Sequence, residues 1–152
     1  MPKSTAFRIL LGVIGLVVIV AVVGTIAFFV ISGMRNKPIE VKTYPGAERV
    51  AQQKFDGQDR QVYTTNDGFQ DVGRFYSGQD DTQCQTIYQN VQPTNGGEDA
   101  VRENPQYIKC SMDRSWMNIS QYAEIAIYPT MDESGNVIEG PTTIYVTRVW
   151  GK

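Results

Sequence analysis

The side chains with the means to act as nucleophiles, bases or ligands are two cysteines, sixteen carboxylates and eight tyrosines, and no histidine accompanies them in 152 residues. Without an imidazole, Ser-His-Asp and Cys-His nucleophile systems, histidine zinc sites and histidine-ligated haem are all excluded. Cys84 and Cys110 are far apart in sequence, so no C-x-x-C exists for thioredoxin-like exchange or c-type haem attachment. Neither a Walker sequence nor G-x-G-x-x-G is present. The acidic pairs are Asp56 with Asp59, Asp80 with Asp81, Glu98 with Asp99, and Asp132 with Glu133. Each falls where a turn or loop is expected and solvated carboxylates are ordinary, and none has the spacing of an EF-hand loop. Asn118-Ile119-Ser120 is a glycosylation sequon, which matters only in a eukaryotic secretory pathway. No catalytic, cofactor or metal site is expected. The residues favour a binding or structural role over an enzyme built from carboxylates and tyrosine alone.

What positions these residues begins with a division of charge. Lys3, Arg8, Arg35 and Lys37 leave the first 37 residues at +4, while all sixteen acids lie beyond them and, against ten bases, leave the remainder at −6. Bases flanking an apolar helix suit lipid headgroups, whereas an acidic domain is repelled by phosphate backbones, so no nucleic-acid partner is expected. Between the bases, Ile9 to Ile31 is a run of 23 residues whose only polar side chain is the Thr25 hydroxyl. At about 1.5 Å per residue the run reaches slightly more than a hydrocarbon core. It is too long for the apolar region of a cleaved signal peptide, and Val30-Ile31-Ser32-Gly33-Met34 is a poor cleavage site. An uncleaved signal anchor is expected: residues 1–8 form a short head, 9–31 a transmembrane helix, 32–43 a juxtamembrane linker and 44–152 the folded domain.

Lys3, Arg8 and the amino terminus face Arg35, Lys37 and Lys42 across the span, so the positive-inside count is nearly balanced. The short head and the two cysteines favour a cytoplasmic N-terminus with the domain outside the cytoplasm, where thiols pair; two unrelated buried thiols are the alternative. Gly12 and Gly15 share a helix face, and Ala21, Gly24 and Ala27 form a second patch, where small residues would admit another membrane helix.

Within the domain, Tyr44-Pro45-Gly46 and Asp56-Gly57 read as turns, Ala47 to Phe55 is ambiguous between helix and strand, and Gln61 to Thr65 looks extended. A helix follows, capped by Asn66 or Asp67, with Phe69, Val72, Phe75 and Tyr76 at helical spacing and Ser77-Gly78 as its end. Gly73 inside it costs about 1 kcal/mol of helix propensity relative to alanine, which points to a close backbone contact. Four strands are expected at Thr86 to Val91, Gln106 to Met112, Gln121 to Tyr128 and Thr142 to Trp150. Asp132-Glu133-Ser134-Gly135-Asn136 supplies the turn of a long hairpin, and Pro93 to Pro105 a polar loop. The fold class is therefore α+β, one helix packed on a mostly antiparallel four-stranded sheet. Cys110 should point inward with Ile108 and Met112, and Cys84 lies just before the strand from Thr86, which would neighbour it in an antiparallel sheet, so the two are expected to form a disulfide. Most aromatic residues should be core; Trp116 and Trp150 are the exceptions that suit a partner or membrane-interface surface.

Tyr44-Pro45-Gly46-Ala47, then Val62-Tyr63-Thr64-Thr65-Asn66-Asp67, then Asp71-Val72-Gly73-Arg74-Phe75-Tyr76 together resemble small membrane-anchored bacterial α+β domains. Such single-helix proteins include accessory subunits of respiratory and photosynthetic complexes, alternative complex III among them. The resemblance implies a non-catalytic accessory subunit whose partners are the bilayer and other membrane-protein subunits. The competing expectation is a free-standing anchored domain that binds or senses an extracytoplasmic ligand.

Overall fold

In the computed structural model, which describes residues 5–91, 102–116 and 119–151, a long N-terminal helix leads into a sheet with a second helix laid across it. The elements are α1 (Thr5–Arg35), β1 (Glu48–Phe55), β2 (Gln58–Thr65), α2 (Phe69–Ser77), β3 (Gln83–Val91), β4 (Arg102–Asp113), β5 (Gln121–Tyr128) and β6 (Thr142–Trp150). From Leu10 to Arg35, α1 is long and apolar enough to cross a membrane, and none of that stretch's most apolar window is buried against the rest of the chain.

Among the described residues the strands form one antiparallel sheet in the order β1-β2-β6-β5-β4-β3. The sheet has six strands and not the expected four. Asp56-Gly57 closes β1 onto β2 as a tight hairpin, with Phe55 opposite Gln58 and Gly57 at φ +66. Every residue of β1 is exposed, which explains why its sequence lacks the alternation that marks a strand with one buried face. β3 and β4 also begin earlier than expected, and Pro105 sits opposite Tyr88 where their register shifts, a position compatible with its missing N–H. Pro129 and Pro141 fall just outside β5 and β6.

One face of the sheet carries the core. Ile108, Cys110 and Met112 of β4, Ala123, Ile125 and Ile127 of β5, and Ile144 and Val146 of β6 point to it. α2 covers the β3–β5 half, burying Phe69, Val72, Gly73 and Tyr76. Gly73 is the close approach that its cost implied: a Cβ there would lie 2.4 Å from Ile108 Cδ1. The cap is different from the expected one. Gly68 is the N-cap and no side chain bonds to the free amides, while the Thr65 hydroxyl accepts from the Asp67 N–H at 3.3 Å.

The remaining half of this face is covered by the segment between α1 and β1. Residues 32–43, expected as linker, end α1 and then pack on the sheet: Ile39 is only 3% exposed, and Val41, Tyr44 and Ala47 rest against the same core. Tyr44 meets Phe75 of α2 edge to face, 5.2 Å between ring centroids. The folded unit therefore begins close to the end of α1.

Candidate functional site

Two arrangements have the residues for recognition, and both are positioned by the sheet. The first is the junction between α1 and the strand ends. Gln121, the first residue of β5, donates its side-chain amide to the Lys37 carbonyl at 2.9 Å and to the Met34 carbonyl at 3.4 Å. Met34 is in the last turn of α1, where carbonyls have no partner within the helix, and Lys37 is two residues past its end, so Gln121 supplies a donor to both and ties the end of α1 to the sheet. Beyond β6, Gly151 at φ +67 passes so near Asn36 that a Cβ would come within 2.8 Å of its Oδ1. Trp116 lies against α1, its ring 6.4 Å from that of Phe28 and 5.7 Å from the Arg35 guanidinium carbon. Arg114 pairs with Asp81 at 2.8 Å. A cavity of about 610 Å³ opens among these groups, lined by Ile31, Met34, Arg35, Arg114, Trp116 and Gln121, with Asp81 and Ser115 completing its wall.

The same junction is held from inside by a polar network. Asp59 of β2 is 1% exposed and accepts from Arg148 of β6 at both carboxylate oxygens, with Nε at 2.8 Å from Oδ1. Gln61 donates to Asp59 at 3.0 Å and accepts from the Tyr63 hydroxyl. Arg148 also reaches the Ile39 carbonyl at 3.4 Å, tying the segment after α1 to the sheet. Burial alone would raise the Asp59 carboxyl, but hydrogen bonds from Arg148 and Gln61, with the Arg148 charge, outweigh it and hold the group below its ordinary range. Asp59 is thus a paired structural carboxylate.

The second arrangement is the face of the sheet away from α2. Tyr107, Tyr128 and Tyr145 form a row across β4, β5 and β6, the first two stacked at 4.9 Å and the second two edge to face at 5.5 Å. A shallow cavity of about 480 Å³ lies beside them, bounded by Arg60, Glu124, Thr143 and Thr147. Glu124 is paired with Lys109 at 2.7 Å. Exposed tyrosines with an arginine beside them are residue types enriched at recognition surfaces, whereas the threonines are not.

Cys84 and Cys110 are directly opposed in the β3–β4 register and joined as a disulfide, with Cα atoms 4.0 Å apart. Trp116 and Trp150 are both half-buried and come to the same end of the sheet, beside Gln121. Trp116 touches α1, whereas the Trp150 N–H bonds to the Gly57 carbonyl at 2.9 Å. Around Gly12, Gly15 and Gly24 there is open space, and Ala21 and Ala27 are likewise exposed. The chain matches no family model, no curated protein and no solved structure with which it was compared.

Arg35, Arg114, Gln121 and the tyrosine row were not singled out by spacing, because each gains its meaning only when distant segments meet at the sheet. Chemically, both arrangements present charged, polar and aromatic side chains around an open cavity. Burial pushes the Tyr76 hydroxyl up to about 12, so it carries no base at neutral pH. The cysteines are bonded to each other, and among the described residues no group of three or more acidic, cysteine or histidine side chains converges on one point. Asn118 of the sequon and most of the polar loop from Pro93 lie outside the described residues.

Proposed function

We propose that this chain is a non-catalytic, single-pass accessory subunit of a larger membrane complex, with α1 in the bilayer and the sheet domain on the extracytoplasmic side. The observation that carries the reading is the rigid junction. Gln121 clamps the end of α1, and Ile39, only four residues beyond it, is already core. A sensor on a loose tether samples many heights and angles; a domain clamped this way presents its surfaces at one height, as a subunit that covers part of an assembly must. The disulfide supports an oxidising compartment and hence a cytoplasmic N-terminus. The exposed small residues Gly12, Gly15, Ala21, Gly24 and Ala27 supply a face on which a neighbouring membrane helix would pack. The resemblance to accessory subunits of bacterial respiratory and photosynthetic complexes supports electron transfer as the setting, with the chain itself holding no cofactor.

The second reading, a free-standing anchored binding domain, is favoured by the tyrosine row and its cavity. Extraction in mild detergent followed by co-purification separates the two. A subunit travels with large partners in fixed ratio. A chain that elutes alone, from membranes where it is expressed at its native level, contradicts the accessory role.

A further inference from the structure

We propose that the cavity between α1 and the sheet binds the phosphate group of a membrane phospholipid, held by Arg35 and Arg114 against the Trp116 ring. This rests on the reading that α1 spans the bilayer, and it names a ligand for the junction. Arg35 lies one helical turn beyond Ile31, where the apolar run ends, and that is the level at which headgroup phosphates sit when the run fills the hydrocarbon. Its Nη1 is buried and has no hydrogen-bond partner among the described residues, and the Ser32 hydroxyl one turn earlier is in the same condition. A buried guanidinium nitrogen without an acceptor is costly, so the site has a place for one more acceptor oxygen. The Trp116 ring lies 5.7 Å from the Arg35 guanidinium carbon, which orients that group without supplying an oxygen.

Charge in the cavity favours an anion. Arg35 and Arg114 outnumber the single carboxylate, Asp81, which is spent on one Arg114 nitrogen at 2.8 Å. A guanidinium has five N–H donors in a planar fork, so Arg114 keeps donors for a second acceptor. Two arginines converging on one space suit the tetrahedral oxygens of a phosphodiester. Ile31 and Met34 form the apolar side of the cavity, and Phe28 stands a turn further into the apolar stretch beneath Trp116. A glycerol backbone and acyl chains would continue from the phosphate along that side of α1. Free phosphate satisfies the arginines but leaves this wall uncovered, which is why the lipid is the favoured source.

The test uses the full chain in nanodiscs of phosphatidylcholine with one-fifth phosphatidylglycerol, transferred to detergent and read by native mass spectrometry. One phospholipid should remain on the wild-type chain. Arg35→Gln with Arg114→Gln should retain at least about tenfold less, the loss expected when charge-assisted hydrogen bonds are removed. Arg35→Lys, which keeps the charge but not the fork, should fall between, and a far-UV circular dichroism spectrum and a cooperative unfolding transition like those of the wild type show for each variant that the fold survives. Inorganic phosphate, added at millimolar concentration, should not displace the lipid. Equal retention by the wild type and the double variant overturns the site, and so does binding of inorganic phosphate without retained lipid. Alkaline carbonate washing of the starting membranes separates the two readings: a chain that stays in the membrane but keeps no lipid loses only this site, whereas a chain that washes out loses the membrane span and the site together.

Discussion

The two faces of the sheet are built by the same strands and meet opposite surroundings. One is closed by α2 and by residues 36–47, and its centre at β4, β5 and β6 is apolar or disulfide-bonded, with Gln121 and Arg148 at one end. Among the described residues the other has no layer over it, and it carries Tyr107, Tyr128 and Tyr145 with Thr143, Thr147 and Arg60. Aromatic area is thus used in two ways. Tyr63 and Tyr76 are core, while Tyr88, Tyr122, Tyr128 and Tyr145 remain substantially exposed. The closed face holds the core and the open face little of it, so damage to the first should unfold the domain and damage to the second should not.

The strongest way to break that contrast is to uncover half of the closed face. A fragment starting at residue 36 should be soluble and unfold in one cooperative transition, because it retains Ile39, Val41 and Tyr44 on the core. A fragment starting at residue 44 loses Ile39 and Val41 and the carbonyl that Arg148 reaches. Burying one such aliphatic side chain is worth about 1.5–3 kcal/mol, so the shorter fragment should lose roughly 3–5 kcal/mol, most of the stability of a small domain. Urea titration of both fragments measures the difference. Equal midpoints would mean that residues 36–43 cover nothing.

Next in size is the disulfide. A closed loop of 26 residues stabilises by about 3.5 kcal/mol in the chain-entropy model, so reduction or Cys84→Ala with Cys110→Ala should lower the unfolding free energy by that order. Mapping of non-reduced peptides from native membranes checks that the bond exists there, and two free thiols would remove the reason for placing the domain outside the cytoplasm.

How far the sequence discloses these faces follows from the physics of each element. β5 was legible because Ala123, Ile125 and Ile127 alternate with Tyr122, Glu124 and Tyr128, as one buried face requires. The long hairpin was legible because Asp132 is a turn former; its carboxylate accepts from the Ser134 and Asn136 N–H groups at 2.9 and 2.8 Å. β1 was not, since an edge strand exposed on both sides leaves no periodic trace. The covering segment was not, because Pro38 and its flanking bases read as linker and the alternation of Ile39 and Val41 with Glu40 and Lys42 is too short to mark an element. The disulfide could be inferred from strand register, but Gln121, Arg35 and Arg114 could not, since each contributes one polar side chain from a distant segment and isolated polar residues carry no pattern.

Charge on the closed face gives a smaller effect with a pH signature. The Asp59 carboxyl is held below its unfolded value, so its contribution is present above the ordinary carboxylate pKa of about 3.9 and is lost as pH falls through the lower folded value. Asp59→Asn should cost about 3 kcal/mol at neutral pH, at the low end for breaking a buried pair, since Arg148 keeps an 18% exposed side chain. As pH falls below about 4 the gap between the variant and the wild type should begin to narrow. Denaturant midpoints across pH 3 to 7 test this, and a cost independent of pH would assign the effect to packing.

The smallest expected effect belongs to the open face, and it is the sharpest check on the contrast. Tyr145 is 40% exposed and touches Tyr128 edge to face, so its removal forfeits one aromatic pair and little else. Such pairs contribute about 0.5–1.5 kcal/mol, and Tyr145→Ala should therefore shift the unfolding free energy by about 1 kcal/mol or less. Tyr145→Phe, which keeps the ring and loses only the hydroxyl, should be nearly neutral. If both variants fold as the wild type does yet co-purify with less of any partner, stability and recognition are divided between the two faces. A loss near 3 kcal/mol for Tyr145→Ala would instead mean that the open face is structural, and the tyrosine row would then be a second core layer and not a surface held for another molecule.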